Sequence, residues 1–133
     1  MVRRIVSVSF FTAGLVFFAI SALAHHGAAA YDGNKTTTVK GRVTDFRFIN
    51  PHALIYIAVT DESGDVVEWS GELTSPNRLA RLERGTTVNW SKTILEPGDE
   101  ITLSGNPARS GAPSLRLQTV IDRNGIALIG GDN

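Results

Sequence analysis

The sequence predicts a mainly β protein, a small OB-fold-like barrel of five to six strands with one helix between strands three and four. Three observations carry this. Five segments are rich in β-branched and aromatic residues with period-two alternation, each bounded by Gly, Pro, Asn, Asp or Ser. One segment alone, opening at Ser75-Pro76, has a helix start signal. The order is three strands, a helix, then two strands, which suits a partly open Greek-key barrel. An immunoglobulin-like sandwich needs about seven strands and has no use for a helix here.

Thr36 to Ile49 reads as a long first strand, with Val39, Gly41 and Val43 alternating against Lys40, Arg42 and Thr44. Gly41 inside it predicts a bulge or bend. Asn50-Pro51 breaks the strand, because proline lacks the amide donor that a ladder needs. Ala53 to Thr60 is apolar on both faces and reads as a central strand. Asp61 to Asp65 is a hairpin connection, and Val66 to Leu73 is the third strand. Ser75 caps the helix and Pro76 fits its first position, where a missing N–H goes unnoticed. Leu79 and Leu82 form the apolar stripe, Arg78, Arg81 and Arg84 face solvent, and Gly85 ends the helix. Thr86 to Trp90 is ambiguous, with Val88 and Trp90 placed beside the helix. Leu95 to Asp99 is a tight turn. Glu100 to Gly105 is the fourth strand. Ser114 to Asp122 is the fifth, with Leu115, Leu117, Thr119 and Ile121 on one face, and Gly125 to Ile129 adds a short sixth.

The first 24 residues read as a cleaved signal peptide. Arg3 and Arg4 form the basic region, Ile5 to Ile20 the apolar region, and Ala22-Leu23-Ala24 the small-x-small cleavage pattern. The competing reading is an uncleaved anchor, but the apolar run falls short of the ~20 residues of a spanning helix. Cleavage implies a periplasmic or secreted protein with no membrane span. It leaves an arm over residues 25–35 and a single domain over 36–130. The 13 basic residues match the 13 acidic ones, and two of the basic ones lie in the signal. The mature chain therefore lacks the basic footprint of a nucleic-acid binder. It has no cysteine, which excludes disulfides and thiolate ligands.

Several short motifs form a series: Ala24-His25-His26-Gly27, Tyr31-Asp32, Gly41-Arg42-Val43, Asn50-Pro51-His52-Ala53, Trp69, Glu72-Leu73, Ser75-Pro76-Asn77 and Leu95-Glu96-Pro97-Gly98-Asp99. Together they resemble a family of small exported bacterial proteins catalogued as a domain of unknown function. The paired histidines, Tyr31-Asp32 and Asn50-Pro51-His52 are the specific part. The stretch from Thr86 to Trp90 looks longer than in relatives. The resemblance implies a bacterial origin, export and a β-rich fold, and it carries no activity.

All three histidines fall in two motifs, His25-His26 and His52. A terminus cleaved before His25 joins a primary amine to the His25 ring, a bidentate chelate for Cu(II). His52 completes a three-nitrogen site if the arm folds back. Alternatively the amine, the His26 amide and the His26 ring chelate together. Nitrogen-rich square-planar sites favour copper, and three histidines with Asp32 equally suit tetrahedral zinc, the second choice. The plain alternative is a terminal tail without structure and a His52 that caps the Asn50-Pro51 turn. Tyr31, Asn50 and Trp90 are candidates for a ligand or partner surface, the partner being an envelope protein or a small ligand. Trp69 and Tyr56 read as core. Glu68 and Glu72 share a strand face and read as solvated charges. Ser70 and Ser75 have no His and Asp partners at a defensible spacing. The expected role is an exported binding or accessory module. The rivals are a metal-free interaction module and a copper-dependent oxidative enzyme.

Overall fold

The computed structural model describes residues 27–82 and 88–130. The signal segment, His25, His26, Arg84 and the helix end at Gly85 lie outside these residues. The elements run β1 (Thr37–Arg47), β2 (Leu54–Thr60), β3 (Val66–Glu72), α1 (Pro76–Leu82), β4 (Glu100–Pro107), β5 (Ser114–Asp122) and β6 (Ala127–Ile129). The sheet order is β3-β2-β1-β4-β5-β6. A parallel pairing of β3 with β5 closes the first five strands into a barrel, and β6 adds to the far end of β5. Closure removes the free strand edges that an open sheet would leave.

The long β1 serves two neighbours. Thr37 to Arg42 pairs with β4, and Arg42 to Arg47 pairs with β2. The change of partner coincides with a register shift between Val43 and Asp45, so the bulged residue is Thr44 and not the expected Gly41. Gly41 answers a different need. A Cβ there would strike the Ala58 carbonyl of β2, so only glycine lets the two strands approach.

β5 carries a second phase change. Its register against β4 shifts between Ser104 and Gly105, which pair with Thr119 and Leu117 and leave Gln118 as the extra residue. Leu115 therefore points inward at one end and Val120 at the other, both fully buried, while Ile121 does not reach the interior. Unbroken alternation had put Ile121 inside. The bulge overrides it, because one extra residue flips every later side chain.

The core is wholly apolar among the described residues. Val43, Ile55, Ile57, Ile101, Leu103, Leu115 and Val120 fill the barrel, and Leu73, Leu79, Trp90 and Leu95 join the same cluster. Helix α1 starts as expected, with the Arg78 N–H 3.3 Å from Ser75 Oγ and the Leu79 N–H 3.0 Å from the Ser75 carbonyl. Leu79 is its only buried side chain, and Leu82 is 52% exposed, so the expected two-leucine stripe is a single contact. The Asp61 carboxylate accepts the amides of Ser63 and Asp65 at 2.8 and 2.9 Å and shapes the β2–β3 turn. The Asp122 carboxylate does the same for Asn124 and Ile126 before β6. No described helix is long and apolar enough to cross a membrane.

Candidate functional site

The seam between β3 and β5 gathers the polar side chains that the barrel turns outward. In β3, Gly71 and Leu73 are buried, so Ser70 and Glu72 project outward. The ladder continues past the end of β2. The Ala53 N–H donates to the Thr74 carbonyl at 3.2 Å, and the Leu73 N–H to the Ala53 carbonyl at 2.9 Å. Ala53 is fully buried, which turns its neighbour His52 to the side that carries Glu72. Asn50, exposed, precedes a cis bond to Pro51 in the same connection. On β5, Ser114 and Arg116 are the register partners of Ser70 and Glu72.

The amino-terminal arm completes this cluster. Tyr31 forms an isolated bridge with Ala108, the Asp32 N–H donates to the Pro107 carbonyl at 2.9 Å, and the Arg109 N–H donates to the Ala30 carbonyl at 2.8 Å. These bonds lay the arm beside the end of β4 and bring the Tyr31 phenol to the seam.

The resulting hydrogen bonds form one directed chain. The Ser70 hydroxyl donates to Ser114 Oγ at 2.9 Å, and Tyr31 donates to Glu72 Oε2 at 3.0 Å. Since the single phenol proton goes to Glu72, the 3.2 Å contact between Tyr31 and Ser114 runs from Ser114 to Tyr31. The other carboxylate oxygen, Oε1, lies 2.5 Å from His52 Nδ1. Nδ1 is therefore the nitrogen that donates to Glu72, and Nε2 is the ring nitrogen that takes no part in this contact. Burial raises the Tyr31 pKa above its ordinary value. The Ser114 bond opposes the rise, and the charge of Glu72 adds to it. The phenol thus stays a donor. Glu72 side-chain exposure is 20% against 48% for His52, so the carboxylate forms the shielded floor of the pair and the imidazole its accessible edge.

His52 and Glu72 line a cleft of about 430 Å³ together with Gly27, Ala28, Leu73, Thr74, Arg78, Arg116, Leu117 and Ile129, among others. Gly27 and Ala28 belong to the arm, and Gly27 is bonded directly to His26. The arm thus reaches the cleft that His52 lines.

The other candidate residues lie elsewhere. The Asp32 carboxylate accepts the Asn34 N–H at 3.2 Å and faces Lys35 and Arg109 at 3.5 and 3.8 Å. The Asn34 bond is the main cause of its lowered pKa, with the two cations adding to it. It is not among the cleft-lining residues, and Glu72 is the carboxylate beside His52. Trp90 is 6% exposed, and its Nε1–H donates to the Leu128 carbonyl at 3.2 Å, with its ring centroid 6.2 Å from that of Phe46. It is a core residue that ties β6 down, not a partner-facing one. Tyr56 lies on the outer wall, with the Arg47 guanidinium 4.9 Å from its ring centroid. Glu68 accepts a bond from Thr44 at 3.1 Å. The shared strand face of Glu68 and Glu72 was legible in the sequence. The pairing of Glu72 with His52 was not, because it depends on the ladder running beyond β2 to Ala53, opposite Leu73 and Thr74.

Among the described residues, no three His, Cys, Asp or Glu side chains form a metal group. No curated protein matches the chain. Among solved structures it is similar to the mitochondrial single-stranded DNA binding protein Rim1 of S. cerevisiae, at 14% identity and a TM-score of 0.44, over 73% of this chain and 96% of that one. The model of a family of unknown function, DUF6152, matches residues 13–115, most of the sequence, and the chain belongs to that family.

Proposed function

We propose that the mature protein is an exported binding module that holds copper through its amino-terminal amine, His25 and His52. The observation that carries this reading is the 2.5 Å contact between His52 Nδ1 and Glu72. A metal-ligating imidazole characteristically donates its other N–H to a carboxylate, which fixes the tautomer and raises the basicity of the free nitrogen. His52 has this arrangement, and its cleft is lined by the residue that follows His26. His26 is a further ligand candidate, zinc is the second metal, and Asp32, occupied by Lys35 and Arg109, drops out of the ligand set.

The test is a Cu(II) titration of protein beginning at His25, followed by electron paramagnetic resonance. The expected result is one copper per chain with nitrogen ligation, weakened by His52→Ala and by one extra residue placed before His25. Binding indifferent to His52→Ala would reduce the site to a terminal chelate. No binding of copper or zinc would favour the metal-free interaction module. Turnover of an oxidisable substrate by the copper form would favour the enzyme reading.

A further inference from the structure

The cleft beside His52 holds more positive charge than the protein uses. Arg116 is the register partner of Glu72 across the β3–β5 seam and is the natural cation for that carboxylate. Both Glu72 oxygens are already taken, Oε1 by His52 and Oε2 by Tyr31. Arg116 therefore makes no ion pair among the described residues, and neither does Arg78 of α1, which lines the same cleft. Three acidic groups elsewhere are engaged with other cations: Asp32 with Lys35 and Arg109, Asp45 with Arg47, and Glu100 with Lys40 and Arg42. The same cleft is also lined by the apolar residues Leu73, Leu117 and Ile129. The cleft, about 430 Å³, falls within the range of small-molecule sites.

We infer that this cleft binds a small organic anion, a carboxylate with an apolar tail, its head between Arg116 and Arg78 and its tail along Leu73, Leu117 and Ile129. A guanidinium matches a carboxylate with two parallel hydrogen bonds, whereas an ammonium acts only as a point charge. Glu72 keeps its charge and repels an anion, but both of its oxygens are engaged by His52 and Tyr31, so the two arginines face the cleft as the excess charge. The inference stands independently of copper.

The test is isothermal titration of octanoate into mature protein stripped of metal with a chelator that is then dialysed away. Failure here therefore leaves the copper reading untouched. The expected result is one octanoate per chain, with octylammonium and inorganic phosphate binding at least about tenfold more weakly, a gap of about 1.4 kcal/mol. Arg116→Gln and Arg78→Gln should each weaken octanoate by about tenfold or more, and the control Lys92→Gln should not. Both arginines are exposed, so the variants should keep the wild-type circular dichroism spectrum. Absence of octanoate binding, binding unchanged in both arginine variants, or phosphate binding as tightly as octanoate would overturn the inference.

Discussion

A single carboxylate organises the seam. Glu72 receives a proton donor on each oxygen, and its two partners come from segments 41 and 20 residues away in sequence. Replacing it with glutamine keeps the size and removes the charge that polarises His52. We expect Glu72→Gln to weaken copper binding by about 10- to 100-fold, the usual effect of losing a partner behind a metal ligand. A Cu(II) competition titration reads this directly, and an unchanged affinity would separate Glu72 from the metal. Tyr31→Phe removes one donor to the same carboxylate and should lower unfolding stability by about 0.5–1.5 kcal/mol in urea. The pH dependence has a definite sign. The folded phenol titrates above the ordinary 10.0, so its contribution is complete below that pH and is lost as the pH rises through the folded value. Wild type should therefore lose stability above pH 10.0 more steeply than Tyr31→Phe. Parallel curves would show that the phenol does not carry this dependence.

Element boundaries followed local chemistry closely, but element phase did not. Pro51 fell in the connection between β1 and β2, the Asp61 carboxylate shaped its turn, and Ser75 with Pro76 opened α1, because each acts on the backbone within a few residues of itself; β1 itself stops at Arg47, two residues short of the expected Ile49. The bulges at Thr44 and Gln118 were not legible. Each arises where a strand bends around the barrel, and bending is a demand of closure, not of the residues concerned. Close strand contacts mark the same demand. A Cβ at Gly105 would strike the Arg116 carbonyl of β5, backbone against backbone, with no flexible side chain to give way. Gly105→Ala should cost about 1–3 kcal/mol, as overpacking does. A Cβ at Gly33 meets nothing within 4 Å. Gly33→Ala should stay within about 0.5 kcal/mol. Chemical denaturation of both variants checks the contrast, and equal effects would mean that the strands separate easily at Gly105.

For the molecule as a whole, stability rests on one cysteine-free apolar core, with no buried polar or charged residue among those described. Leu103 sits fully buried inside the barrel, whereas Leu82 is half exposed on α1. Leu103→Ala should destabilise by about 2–5 kcal/mol through lost burial and the cavity left behind. Leu82→Ala should change stability by about 0.5 kcal/mol or less. Urea unfolding followed by tryptophan fluorescence reports both. A large Leu82 effect would assign that side chain a packing partner. The sequence by itself determined the strand segments, the single capped helix, their order and hence the barrel class, because periodicity, capping and turn chemistry act over a few residues. It also singled out His52, Tyr31 and Glu72 as separate residues. Only the tertiary structure decided that these three meet, that Asp32 turns to Lys35 and Arg109, that Trp90 goes inside and that Arg116 has no ion pair among the described residues. These depend on the parallel closure of β3 on β5, on the arm laid beside β4, on the β2–β3 ladder beneath His52 and, for Trp90, on its contacts with Leu128 and Phe46. Such pairings join residues far apart in the chain, and their register is set by bulges and by the geometry of closing a barrel, which local sequence pattern does not encode.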